Sequence, residues 1–216
     1  MKPLPAIIAA WPELPSLPPP GQPLLIRVRT AATRASTRQE LRTVLRQVLA
    51  AWTEISPEHL PLQETARGPV WPGLIAGHAL DISLAYAANE AWIALLRGGR
   101  VGVDAMLVTK FAEADAVSRL YLGPDVGARI RRSADPDRAF ALAWTEFEAR
   151  VKCLKGELGE WSATSAHALS RCGCRHHASF DQVVVAVASH PDFASINATR
   201  VMPGGRMSPV WGISAE

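Results

Sequence analysis

Apolar and basic residues alternate in "LLIRVRT" (24–30), the pattern of a half-exposed strand. The period then changes. In "STRQELRTVLRQVLAAW", Leu41, Val44, Leu45, Val48, Leu49 and Trp52 follow steps of three and four and make one apolar helix face. Thr37 with Glu40 three residues later has the form of a capping box, so the helix is expected to start there. Residues 53–77 carry four Pro and three Gly and read as loop. "ALDISLAYA" (79–87) and "AWIALLRGG" (91–99) predict an antiparallel hairpin around Ala88-Asn89-Glu90, and "RVGVDAMLV" (100–108) a further strand.

The second half opens with two short helical patterns, "KFAEADAVSRLYL" and "DVGARIRRS". Asp135-Pro136 is a helix start, with Pro at the first helical position. A long helix is predicted over 136–155, with Phe140, Trp144, Phe147, Val151 and Leu154 as its buried stripe and Gly156 as its end. "SFDQVVVAVAS" and "FASINATRV" predict two more strands. The expected fold is α+β with two similar, pseudo-twofold lobes, each an antiparallel sheet packed with a long helix. The expected boundaries are a Pro-rich, extended segment at 1–23, lobes at 24–99 and 100–202, and a tail at 203–216.

Composition narrows this picture modestly. The chain has 216 residues, 48% hydrophobic and 20% charged, as globular proteins do. A formal net charge of +3 is mild, but the arginines cluster: Arg34 precedes the first helix, and Arg38, Arg42 and Arg46 recur every four residues on it. A clustered patch points to an anionic ligand more than to bulk nucleic-acid binding. No apolar run has the length of a membrane span, and the prolines of the first 21 residues break up any leader. Three cysteines, an odd number, do not make a disulfide framework, so a cytoplasmic protein is expected.

Two acidic residues carry the chemistry. Asp104 ends the apolar "VGVD", where a carboxylate is costly unless it meets solvent, a partner or a metal. Glu148 stands four residues before Lys152, which by itself describes a surface ion pair. Together, "VGVD" and, 44 positions later, "F-x-x-x-W-T-x-x-E-A-x-x-K" (Phe140, Trp144, Thr145, Glu148, Ala149, Lys152) resemble the 4′-phosphopantetheinyl transferases of the single-chain, two-lobed type. The resemblance covers roughly 30–202. It implies Mg²⁺-dependent transfer of phosphopantetheine from coenzyme A to a serine of an acyl or peptidyl carrier protein. By it, Asp104 and Glu148 are metal ligands, Glu148 and Lys152 catalytic residues, and Arg42, Arg38, Arg67 and Ser83 contacts to coenzyme A. A monomer is the expected state, since both lobes lie in one chain.

The chain departs from that pattern at three places. Leu84 stands where the family has a phosphate-contacting His, Phe147 where it has a Lys before the Glu, and Met106 where many members have a second acid. The second reading is therefore a catalytically degenerate homologue that binds a carrier protein or coenzyme A without transfer. A third, from another class, is a nucleic-acid-binding protein using the Arg stripe; it leaves the acidic residue in each matched motif unexplained. "CGCRHH" gathers Cys172, Cys174, His176 and His177, but adjacent ligands poorly make a tetrahedron, and a polar loop is expected there.

Overall fold

The computed structural model describes residues 5–30, 34–178 and 182–191. It is a mixed α+β structure. In chain order, β1 (Ile7–Ala10) and β2 (Leu24–Arg29) precede α1 (Arg34–Thr53), and three short strands follow: β3 (Gln63–Thr65), β4 (Gly68–Val70) and β5 (Leu74–Ile75). The hairpin β6 (His78–Ala87) and β7 (Glu90–Arg97) leads into β8 (Arg100–Leu107). Then come α2 (Ala114–Val117), a wide π-helical turn over Ser118–Leu122, α3 (Pro124–Arg132), α4 (Pro136–Cys153), α5 (Ala163–Ser170), β9 (Gly173–Ala178) and β10 (Val183–His190).

The strands form a five-stranded sheet, β1-β2-β7-β6-β5, a three-stranded sheet, β8-β10-β9, and the small pair β3-β4. All pairings are antiparallel except β1 with β2. Strand alternation sorts the side chains into layers. Leu24, Ile26 and Val28 of β2 and Ile93 and Leu95 of β7 meet Leu41, Leu45, Val48 and Leu49 of α1 on one face. Leu25, Trp92, Ala94 and Leu96 point the other way and meet Val101 and Val103 of β8 and Val183, Val185 and Val187 of β10. The far face of β10 carries Ala186 and Ala188, and there the small residues Ala149 and Cys153 of α4 pack. The order of layers is thus helix, sheet, sheet, helix.

The two sheets join through side chains. Along β6, Asp81 Oδ2 accepts the Val101 N–H at 2.8 Å and Ser83 Oγ accepts the Val103 N–H at 3.1 Å. These hydroxyl and carboxylate oxygens stand in for the backbone carbonyls of a missing ladder, so the edge of β8 is satisfied without strand pairing.

Several expectations need correction. Helix α1 begins at Arg34, so Thr37 is not its cap; it lies in the first turn with its side chain turned inward. The apolar face fixed the helix body, but a polar turn lies ahead of it. Within 53–77 the chain makes three short strands, and within 1–23 Ile7–Ala10 adds an edge strand to the sheet. Of the stripe expected on α4, Phe140 and Val151 are buried, but Trp144, Phe147 and Leu154 are only half-buried. The deeply buried row is Ala141, Thr145, Ala149 and Cys153, because the helix sits very close to its sheet. "CGCRHH" is largely strand β9 on the edge of the sheet, where pairing with β10 satisfies its backbone. Helix α5, not expected, starts at a capping box of Ser162 with Ser165. The strand expected at "FASINATRV" and the tail 203–216 lie outside the described residues. Among the described residues no helix is long and apolar enough to cross a membrane.

Candidate functional site

Strand alternation and helix geometry bring the two singled-out carboxylates together. Residues 100, 102, 104 and 106 share the face of β8 that looks at α4. Glu148, Lys152 and Lys155 lie one turn apart on the facing side of α4 and its end. Lys152 Nζ donates to Asp104 Oδ1 at 2.7 Å and to the Val103 carbonyl at 3.2 Å, and lies 3.8 Å from Glu148 Oε2. One cation therefore sits between two carboxylates.

The approach depends on Gly102. A Cβ there would fall 2.0 Å from the Ala149 carbonyl oxygen and 2.4 Å from the Cys153 nitrogen. One turn before Ala149 on the same helix, Thr145 is fully buried, with its hydroxyl donating to the Ala141 carbonyl at 2.8 Å. The "G" of "VGVD" and the small residues of α4 are one packing device. It sets the distance at which Lys152 reaches Asp104.

Burial pushes the Asp104 carboxyl up to about 6 from its ordinary 3.8; Lys152 opposes that rise and Glu148 adds to it. The folded chain holds the Asp104 proton more tightly than the unfolded chain does. This group's contribution to stability is therefore fully present below about pH 4 and is lost as pH rises through about 6. Asp104→Asn is expected to melt higher than the unaltered chain at pH 7, with the gap closing towards pH 4. Thermal melts of both proteins across that range check it.

Two adjoining cavities share Lys152 and Tyr86. The smaller, about 540 Å³, is lined by Asp104, Glu148, Lys152 and Trp144, with Thr37, Glu90 and the tip of the β6–β7 hairpin. The larger, about 960 Å³, lies between α1, the segment 65–74, β6 and the end of α4. Its basic side chains are Arg38, Arg42, Arg67, Arg100, Lys152 and Lys155, against a single carboxylate, Asp81. Trp71, Leu74, Ile82 and Leu84 give it an apolar wall. Such a cavity takes a ligand that is anionic at one end and apolar or aromatic elsewhere.

The structure thus brings Asp104, Glu148 and Lys152 together and places Arg38, Arg42, Arg67 and Ser83 along the adjoining cavity. Their engagements differ. Arg42 holds Glu64 in a two-pronged pair, Nε to Oε1 at 2.6 Å and Nη2 to Oε2 at 2.8 Å, which raises the guanidinium pKa and lowers that of the Glu64 carboxyl. Arg46 donates to the Pro57 carbonyl at 2.9 Å. Of the four arginines in the proposed stripe, two are therefore turned onto neighbours. Arg67 donates to the Lys155 carbonyl and pairs with Glu157 at 3.1 Å. The Ser83 hydroxyl is directed at β8.

The three departures also have places. Leu84 packs against the α1 core and lines the larger cavity, making its wall apolar there. Phe147 is not among the residues lining either cavity and sits in an aromatic cluster, with ring centroids 5.7 Å from Trp144 and 6.4 Å from Tyr121. Met106 lines the smaller cavity and packs beside Phe140.

Sequence reasoning did not assign Arg100, Lys155 or Asp81 to the site. Arg100 carries a period-two signal, sharing a strand face with Asp104. Lys155 stands seven residues after Glu148, two helical turns on.

Of the cysteine-histidine group, Cys172 is buried against Cys153, and burial pushes the Cys174 thiol up to about 12. His176 donates from Nε2 to the Leu142 carbonyl at 2.9 Å. Among the described residues no group of three or more metal-ligating side chains is assembled. Asp104 and Glu148, which line the smaller cavity, are carboxylates that could hold a divalent cation; Mg²⁺ is commonly held by one or two carboxylates, with phosphate oxygens and water completing its shell.

Compared with known proteins, the chain matches no family model and no curated protein.

Proposed function

We propose that this protein transfers 4′-phosphopantetheine from coenzyme A to a serine hydroxyl of an acyl or peptidyl carrier protein, with Mg²⁺. The observation that carries the reading is the shared cation. Asp104 and Glu148 face each other across Lys152 where a basic cavity meets a smaller, acidic one. That arrangement suits a diphosphate ester bound on one side and a nucleophile entering from the other. In this reading residues 24–99 and 100–202 are two related lobes, and the ligand lies in the cleft between them.

The residues divide the work by their chemistry. Asp104 and Glu148 would hold Mg²⁺, which supplies positive charge to the diphosphate as the bond breaks. The basic cavity, through Arg38, Arg42 and Arg67, binds the remaining phosphate and orients the nucleotide end. Glu148 is the more accessible carboxylate, its side chain 22% exposed against 11% for Asp104. It is the group that takes the serine proton. Lys152 donates to the negative charge that develops on the bridging oxygen. The serine oxygen bonds to the β-phosphorus, the bond from that phosphorus to the bridging oxygen breaks, and adenosine 3′,5′-bisphosphate leaves.

One specific observation favours a second reading, binding of coenzyme A or a carrier protein without transfer. Leu84 and Phe147 are built into apolar packing, so neither position offers a charged donor to a phosphate. The transfer reaction and the coenzyme-binding form of the second reading both require coenzyme A in the cavity, and titration of the protein with coenzyme A by calorimetry tests it. Binding with excess Mg²⁺ should weaken at least about tenfold with a chelator, since a metal bridging carboxylates and phosphates is lost. Absence of binding under both conditions rules out the transfer reaction and leaves of the second reading only the binding of a carrier protein.

A further inference from the structure

Helix α4 ends in a Schellman motif. The Gly156 N–H donates to the Val151 carbonyl and the Lys155 N–H to the Lys152 carbonyl, each at 3.0 Å. That places Lys155 at the position just past the cap, with φ 56°, in the left-handed region where glycine is the usual occupant. The glycine of the sequence stands one residue later, at 156. A lysine there gives up backbone stability, and the Schellman turn itself gains nothing from its side chain.

The side chain does something else. It crosses from the end of α4 to β6, where its Nζ lies 2.7 Å from Asp81 Oδ1. Asp81 is fixed in turn by the Val101 N–H on its other oxygen. The ammonium lines the larger cavity, 38% exposed over its side chain. The neighbouring arginines are spent on the same helix end: Arg67 donates to the Lys155 carbonyl and Arg100 to the Leu154 carbonyl. Three basic residues therefore converge where α4 stops, and Lys155 is the one whose head group is held by a carboxylate on the cavity wall and not by backbone.

We propose that Lys155 is a phosphate-binding residue of this cavity, retained in a strained backbone position for its charge and oriented by Asp81. It supplies the cation that the apolar Leu84 does not. The inference rests on the reading of the cavity as a site for a phosphate-bearing ligand and adds the residue that contacts the phosphate.

The test compares Lys155→Gly, Lys155→Arg and the unaltered chain, by melting temperature and by calorimetric titration with coenzyme A in Mg²⁺. Lys155→Gly is expected to melt at the same or a higher temperature, because glycine takes the left-handed position without strain. Its affinity should fall roughly tenfold to a hundredfold, as for a charged hydrogen bond lost. Lys155→Arg should lose less affinity than Lys155→Gly, since it keeps the charge though not the geometry of the ammonium. A Lys155→Gly protein that binds as tightly as the unaltered chain overturns the proposal. So does one that melts lower without losing affinity, which is what a purely structural bridge to Asp81 predicts. Sodium pyrophosphate separates this failure from that of the coenzyme reading. If the unaltered chain binds pyrophosphate but not coenzyme A, the coenzyme reading falls and the same comparison on pyrophosphate decides Lys155. If it binds neither, both fall.

Discussion

Gly102→Ala is expected to destabilise the protein by at least about 3 kcal/mol, the upper end for overpacking a core. The reason is what the new methyl group would meet. Its neighbours are the Ala149 carbonyl at 2.0 Å and the Cys153 nitrogen at 2.4 Å, both backbone atoms of α4. A side chain could swing aside, but a helix backbone moves only as a unit. Helix α4 would have to retreat from β8 and β10. That opens space around Ala149, Ala186 and Ala188, which have no atoms to fill it. The retreat would also pull Lys152 from Asp104. Urea unfolding of the two proteins measures the effect. A midpoint within error of the unaltered chain would show that α4 does not pack this closely.

Under the proposed transfer reaction, Glu148→Ala is expected to lower carrier-protein modification by about a thousandfold, since that proposal makes Glu148 both general base and metal ligand. Stability should change little. Glu148 is partly exposed and its charge is 3.8 Å from Lys152, a surface-type pair worth no more than about 1 kcal/mol. The variant should melt within a few degrees of the unaltered chain, which separates a chemical role from a structural one. Equal rates in the variant and the unaltered chain would remove Glu148 from the mechanism.

How far the sequence discloses this molecule differs from element to element. The long apolar stripe of α1, the strand patterns of β2 and the β6–β7 hairpin, and the Asp135-Pro136 start of α4 are local signals, and each element lies close to where they put it, although β2, expected to be half-exposed, is covered on both faces because the second sheet packs on Leu25. The end of α4 is not local in that sense. Gly156 is the obvious terminator, yet the left-handed residue is Lys155, whose side chain has a partner on β6. The buried row of α4 was misplaced for a related reason. A face of Ala141, Thr145, Ala149 and Cys153 reads as weakly apolar, and only the nearness of Gly102 shows why small residues are needed there. Strand β9 carries polar and cysteine residues because it is a sheet edge, so its sequence lacks a strand's apolar alternation.

The site is legible in a similar measure. Asp104 and Glu148 drew notice in the sequence, and they do face one cation. Arg100 and Asp81 carry no role in the sequence reading, because each acquires its position from the joining of β6 to β8 through side-chain oxygens. No pattern along one strand announces that contact. Phe147 shows the reverse case. It is a departure from a motif in the sequence and a member of an aromatic cluster in the fold.

The measurement that bears most directly on the central claim is the mass of an apo carrier protein incubated with this protein, coenzyme A and Mg²⁺. The account predicts a gain of about 340 Da on the carrier, the phosphopantetheine group joined to serine as a phosphodiester. It also predicts that the gain is absent with Glu148→Ala. An unchanged carrier mass across acyl and peptidyl carriers, with the protein folded and coenzyme A bound, would contradict the transfer reaction and leave a protein that binds coenzyme A without using it.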